Sequence, residues 1–344
     1  MPSDDLKNRI EALNKRPLTN VPEEHLGGLR RKLQKQAEAK ARHVVEPAGP
    51  VGVSGFPPST GSGSNPETPV TARSVSAAAF EPVVYSRSAP RAYSTVGGAM
   101  EDGAVVALEE VARGIATPAP TGPDYYHIEL AAVDLDECAL EVHACFLPLI
   151  GHPEGTAVDR VAALCKSERI APEEALFLDI ETTGLGNTPV FLIGTMECDS
   201  DGFMFRQYFA RDYSEESSIL SAFSQRLKDA RMLVTFNGKS FDMSYLRNRA
   251  VATGVRLPHP KNHLDLLHEA RRAFGRSVPN HKLQTLEQIV CGKCREDDIP
   301  GAEIPAAYHQ FVRTGNARKI GLILQHNLYD LLTMADLMGR MWRR

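Results

Sequence analysis

The sequence predicts an α/β domain with a mixed five-stranded sheet flanked by helices, preceded by a long and largely disordered N-terminal region. Three observations predict it. Apolar runs of strand length, separated by short turns, fill 176–209. Helical and strand-like segments then alternate to the end of the chain, as in an α/β domain. Finally, 46–100 is rich in Gly, Pro and Ser, a composition that buries too little apolar surface to offset the entropy of ordering.

Taken in order, 1–45 is charged and helix-favouring, with a basic cluster at Arg30, Arg31, Lys32, Lys35, Lys40 and Arg42. A solvated helix face explains it, as does contact with nucleic acid or an acidic protein partner. The segment 46–100 is a linker. Residues 101–170 form a small accessory or docking extension, in which Val105-Val-Ala-Leu108 and Tyr126-His-Ile-Glu-Leu130 read as strands. The main domain occupies 171–344. Strands are expected at Leu176–Glu181, Val190–Glu197 and Phe203–Phe209, joined by connections that suit antiparallel hairpins. An amphipathic helix follows over Glu215–Ala230, with apolar residues at Ile219, Leu220, Phe223 and Leu227. Met232–Phe236 is another buried strand, ended by Asn237-Gly238, and a helix begins near Ser240. His263–Leu267 is a short apolar piece before the basic helical stretch at Arg271–Arg276, and a long helix runs from Arg318.

Composition bounds the function. With 344 residues, 42% of them hydrophobic, the chain can build a sizeable core. No apolar run is long enough to span a membrane and the start lacks a secretory signal, so a cytoplasmic location is expected. Six cysteines in this length do not suggest a disulfide scaffold. Cys291-Gly-Lys-Cys294 has metal-ligand spacing but no second pair to complete a zinc site, so ordinary thiols are expected. A net charge of -4 argues against a uniformly basic coat while permitting a local basic groove.

The chemistry is carried by acids in unfavourable places. Asp179 and Glu181 lie two apart in the strand Ala175-Leu-Phe-Leu-Asp-Ile-Glu-Thr-Thr-Gly184, so both carboxylates leave the same face. Two adjacent anions in a buried strand call for a neutralising cation; the alternative is a strand that ends early and leaves the acids solvated. Asp242 sits at a helix start just after a strand, where ligands collect in open α/β sheets, although the helix dipole alone favours an acid there. His326 and Asp330, four apart in the last helix, share one face of an otherwise apolar segment.

In order, Phe177-Leu-Asp-Ile-Glu-Thr-Thr-Gly184, Phe236-Asn-Gly-Lys-Ser-Phe-Asp242 and His326-Asn-Leu-Tyr-Asp330 resemble the DEDD superfamily of ribonuclease H-like exonucleases. Within it, His263-Leu-Asp-Leu-Leu267, Asp297-Asp-Ile-Pro-Gly-Ala-Glu-Ile-Pro305 and His326-Asn327 look most like the YprB-type family of ribonuclease H-like domains. The resemblance covers about the last half of the chain. It implies a ribonuclease H-like fold and a two-metal-ion 3′ to 5′ exonuclease acting on single-stranded DNA or RNA ends. By the same resemblance Asp179, Glu181, Asp242 and Asp330 hold two Mg²⁺ or Mn²⁺ ions, with Asp179 bridging them, and His326 takes the general-base position. Better-known members place a His five residues, or a Tyr four residues, before the last Asp. This chain has His at the tyrosine spacing, a displacement of about 100° around the helix, and Tyr329 points elsewhere. Lys239 and Ser240 are expected to reach a substrate phosphate. Arg271, Arg272, Arg276 and Lys282 read as surface charges, and Phe241 and Tyr245 as core residues at helical spacing. A structure-selective endonuclease and a catalytically lapsed nucleic-acid-binding scaffold are the competing readings.

Overall fold

The computed structural model describes residues 105–342 except 137, 151–160, 162, 164–169 and 296–297. The expected N-terminal helical segment, the linker, part of the accessory extension and Asp297 lie outside the described residues.

Strand β3 (Ala175–Thr182) runs through the middle of the sheet, with antiparallel β4 (Val190–Cys198) beside it and β5 (Phe203–Phe209) next to β4. Gly184, Gly186 and Gly202 supply positive φ in the two hairpin connections. On the other side of β3, β6 (Met232–Thr235) and β7 (Asn262–Asp265) pair in parallel, and each follows a helical crossover. These are the four strands expected by range in the main domain and, as the fifth, the short apolar piece at His263–Leu267. The sheet nonetheless has seven, in the order β1-β2-β5-β4-β3-β6-β7.

The two additional strands come from the accessory segment: β1 (Ile115–Thr117) and β2 (Tyr125–Ala131), the latter antiparallel to β5. Tyr126, Ile128 and Leu130 bury their side chains while Glu129 faces solvent, so β2 gives the apolar core a further row and covers the free edge of β5. Val105–Leu108, expected as a strand, instead leads into the short helix α1 (Leu108–Val111). The Ala107 N–H donates to the Glu110 carboxylate, a local bond that favours a helical turn over a ladder. α2 (Ala132–Leu135) and α3 (Ala139–Ile150) follow, and Phe146 of α3 packs on Phe177 and Phe203.

The remaining helices are α4 (Glu216–Asp229), α5 (Asp242–Thr253), α6 (Leu266–Phe274), α7 (Leu283–Leu286), α8 (Ile304–Thr314) and α9 (Arg318–Trp342). The expected helices at 215–230, from 240 and from 318 are present within two residues of their predicted limits. A π-helical turn, Glu287–Cys291, extends α7. α9 is buried along most of its length, and α8 seats Tyr308 against Phe191, with its hydroxyl donating to the Ala210 carbonyl. Residues 105–150 and the rest of the sheet share one apolar cluster. Among the described residues no helix is long and apolar enough to cross a membrane.

One row of the sheet fixes where α9 lies. Asp179, Gly194 and Gln207 are register partners across β3, β4 and β5, so their Cα positions share one face. A Cβ at Gly194 would stand 2.0 Å from Asn327 Oδ1. The glycine is therefore the gap into which the helix lowers its asparagine. We expect Gly194→Ala to destabilise the protein by about 3 kcal/mol, the upper range for overpacking a core. Denaturant midpoints check it, and combining it with Asn327→Ala should recover most of the loss. Additive losses would show that the two positions do not meet.

Candidate active site

Asp179 and Glu181 leave β3 on the face that α9 covers, as the strand alternation requires. The β3–β4 register shifts between Glu181 and Thr182, so β3 departs from regular pairing right after the second acid. Asn327 Nδ2 donates to Asp179 Oδ2 at 2.8 Å.

Asp242 is delivered by a turn of unusual shape. Asn237 has φ 66°, and a Cβ on Gly238 would lie 2.5 Å from Thr235. Both residue types are those that tolerate such a turn. Asp265, at the end of β7, ties the turn down: its carboxylate accepts from the backbone N–H of Asn237 at 2.8 Å, Lys239 at 3.0 Å and Leu267 at 3.1 Å. α5 then begins with Asp242 buried and hydrogen-bonded to the backbone of Ile180, between the two acids of β3. Asp242 is thus more than a helix-dipole acid.

α9 contributes the third side. His326 Nε2 lies 3.7 Å from Asp330 Oδ2 and 4.0 Å from Glu181 Oε1. The imidazole therefore faces the acids despite its unusual spacing. Its Nδ1 is held 2.6 Å from Asp298 Oδ1. Tyr329 takes a hydrogen bond from Gln325 and lies under the Arg295 guanidinium, away from the acids.

Two further charged groups complete the site. Arg295 donates to Asp330 Oδ1 at 2.5 Å and to Glu287 Oε2 at 2.8 Å, and lies 3.5 Å from Asp298. Neither Arg295 nor Asp298 stood out in the sequence analysis as a functional residue. Asp298 lay in the run Asp297–Pro305 that carries the resemblance, without a role of its own, and Arg295 just before it gave no signal; in the structure the Arg295 side chain is only 7% exposed.

The electrostatics follow from burial and like charge. Burial pushes Asp179 well above the usual carboxylate range, reinforced by Asp330, Glu181 and Asp242. Burial likewise raises Glu181 well up, with Asp330, Asp242 and Asp298 adding to it and Arg295 opposing. Asp242 is pushed up to about 7, by burial first and then by Asp265 and Asp330 against its own backbone hydrogen bond. Burial works to lower His326, but the Asp298 hydrogen bond and the charges of Asp330 and Asp298 outweigh it, so its pKa is raised. The four acids named from the sequence thus act on one another.

The side chains that could hold a cation are Asp179, Glu181, Asp242 and Asp330. Among the described residues, no three His, Cys, Asp or Glu side chains stand close enough together to enclose a metal ion as placed. Three of the four acids have an oxygen engaged already, Asp330 by Arg295, Asp179 by Asn327 and Asp242 by the Ile180 backbone. Lys239 and Ser240 are exposed, three and two residues before Asp242. Arg271, Arg272, Arg276 and Lys282 are exposed surface charges, with Arg272 paired to Glu269. Tyr245 is a core anchor whose hydroxyl bonds the carbonyls of Gly184 and Thr188, whereas Phe241, expected in the core, is 37% exposed because it precedes the helix. Cys291 is buried and Cys294 exposed, both as free thiols.

The family match agrees with this architecture. Residues 176–342 match the RNase_H_2 family of the RNase_H superfamily. The chain is 32% identical over 166 residues to the uncharacterized protein YprB of Bacillus subtilis (strain 168), covering 47% of this chain and 40% of that protein. It is 30% identical over 106 residues to a DNA polymerase of Pyrococcus glycovorans, covering 24% of this chain and 13% of the polymerase. The family B DNA polymerase of Pyrobaculum calidifontis aligns with a TM-score of 0.39 and 20% identity, over 47% of this chain and 24% of that one. The chain thus spans less than half the length of the curated relatives it matches. Residues 176–342, which carry all four acids and His326, are a ribonuclease H superfamily domain of the YprB type.

Proposed function

We propose that this domain is a metal-dependent nuclease, a 3′ to 5′ exonuclease acting on single-stranded DNA or RNA ends. The observation that carries the reading is the approach of His326 Nε2 to both Asp330 and Glu181, with Asp330 acting electrostatically on Asp179, Glu181 and Asp242: four acids from three separate segments, Asp242 buried and the other three partly so. The ribonuclease H superfamily match supports it, as does the DNA polymerase among the relatives.

The donor chemistry fits hard divalent cations. All four groups offer carboxylate oxygen, and their shared charge is offset within the site only in part, by Arg295 and by His326 when protonated. Two Mg²⁺ or Mn²⁺ ions, when bound, supply Lewis-acid activation of water and stabilisation of charge on the scissile phosphate. The protein's own groups do the rest. β3 and α9 hold the acids on one wall, and Asp242 faces them from α5. His326, neutral once the charge around it is compensated, accepts a proton from the attacking water at Nε2, while Asp298 fixes the ring through Nδ1. Lys239 and Ser240, exposed beside Asp242, are placed to meet the substrate backbone.

The test is incubation of the protein with 5′-labelled single-stranded and duplex DNA and RNA in Mg²⁺ or Mn²⁺. We expect a ladder shortening from the 3′ end, fastest on single strands. Discrete internal products would indicate an endonuclease, and binding without cleavage a lapsed enzyme. In the same assay His326→Ala should lose roughly 10²- to 10⁴-fold in rate, the usual weight of a general base, while retaining metal binding. Unchanged turnover would remove His326 from the mechanism.

A further inference from the structure

Asp179, Gly194 and Gln207 form one row across three strands, and Asn327 occupies the space above the glycine. Asn327 and Gln207 are both fully buried, at 0% and 1% exposure. Their hydrogen bonds run in one direction. Gln207 Nε2 donates to the Leu324 carbonyl at 2.8 Å and to Asn327 Oδ1 at 2.8 Å. Asn327 Nδ2 in turn donates to Asp179 Oδ2 at 2.8 Å and to the Asp179 carbonyl at 3.3 Å.

An amide has one donor side and one acceptor side. With Gln207 donating to the oxygen of Asn327, the nitrogen of Asn327 must face β3. Turned over, it would set a carbonyl against the Asp179 carboxylate and an NH₂ group against that of Gln207, two repulsive contacts between fully buried amides. We propose that Gln207 is a positioning residue that sets the polarity of the Asn327 amide. Through that amide it directs one Asp179 oxygen toward α9 and leaves the other for a cation. Its hydrogen bond to Asn327 is the route by which it reaches Asp179, while its bond to the Leu324 carbonyl holds its own nitrogen toward α9. The inference rests on the metal-dependent reading above and deepens it by naming what aims the acid expected to bridge two ions.

The test uses Gln207→Glu, which replaces the donating NH₂ with an acceptor and so draws the Asn327 nitrogen away from Asp179. Gln207→Met keeps comparable volume and imposes no polarity. Full-length, metal-stripped proteins are titrated with MnCl₂ by calorimetry, and their unfolding midpoints are measured in EDTA. We expect Gln207→Glu to bind Mn²⁺ at least tenfold more weakly than wild type, with Gln207→Met between the two. A role confined to filling the core would lower both unfolding midpoints and leave Mn²⁺ affinity unchanged; that result overturns the proposal. Should Gln207→Glu fail to fold, Asn327→Ala decides: tenfold weaker Mn²⁺ binding supports the relay, and wild-type affinity refutes it. A wild-type protein that binds no Mn²⁺ strikes the metal-dependent reading itself.

Discussion

Asp179→Asn is expected to lower turnover on labelled single strands by roughly 10³-fold or more while leaving the protein folded. The magnitude follows from removing a charge-stabilising group in a water-poor site, where one such group is worth about 10²- to 10³-fold, and from its expected place between two cations. The fold should survive because the amide is nearly isosteric and can still accept from Asn327. In the absence of metal the variant should unfold at a higher temperature than wild type, since it removes one of four closely set acids whose charges oppose one another. Activity and stability then move in opposite directions. Single-turnover rates in Mn²⁺ and thermal unfolding in EDTA check both halves. A variant that keeps a tenth of wild-type turnover would take Asp179 out of the chemistry.

The second large effect is in the pH dependence of the metal-free protein. Asp242 has a folded-state pKa of about 7 against an ordinary value of 3.8, and Asp179 and Glu181 are raised in the same direction. A raised carboxyl binds more protons in the folded than in the unfolded chain between those two values. Its stabilising contribution is therefore present below about pH 4 and is lost as the pH rises through about 7. For Asp242 alone the loss is on the order of 4 kcal/mol. The shift of His326, raised from 6.5, acts with the same sign over a higher window. The lowered pKa of Asp298 opposes them, since its contribution is lost as the pH falls. In EDTA the unfolding midpoint should drop by something like 10 °C between pH 5 and pH 7.5. Saturating Mn²⁺ should abolish most of that drop, and Asp242→Asn should flatten the EDTA curve. An equal slope with and without Mn²⁺ would mean that cations do not compensate these acids.

Much of this arrangement was present in local pattern. The strands β3 to β5 were readable because apolar runs of the right length are punctuated by Gly-containing turns. α9 was readable because its periodicity persists for most of 25 residues. Asp179 and Glu181 were conspicuous because a buried strand rejects paired anions without a reason. The rest depended on contacts distant in sequence. Val105–Leu108 carries the apolar run of a strand, and a single bond to Glu110 decides for a helix. β1 has only three residues, and the strand read at Tyr126–Leu130, β2, gains a place in the sheet only once β5 presents an edge. Asp265 looks like an ordinary helix cap and is one, yet the same carboxylate also fixes the turn that delivers Asp242. Asp298 lies in the run Asp297–Pro305 and Arg295 just before it, yet neither shows a role until the chain folds them against His326 and Asp330. Gln207, Gly194 and Asn327 reveal their relation only through strand register, which no single segment encodes.

The spacing of His326 shows what residue counts leave open. Set four rather than five residues before Asp330, it was expected to be rotated from the usual position. The structure brings its Nε2 to 3.7 Å from Asp330 and 4.0 Å from Glu181, because Asp298 anchors the opposite ring nitrogen and turns the imidazole inward.

The central claim is that Asp179, Glu181, Asp242 and Asp330 together receive divalent cations. Crystals of the protein grown with Mn²⁺ and measured at the manganese absorption edge address it directly. Anomalous peaks bounded by these four carboxylates are expected, two of them roughly 3.5 to 4 Å apart when a nucleotide is also bound. Manganese absent from this site at saturating concentration, with the four side chains ordered as described, would contradict it.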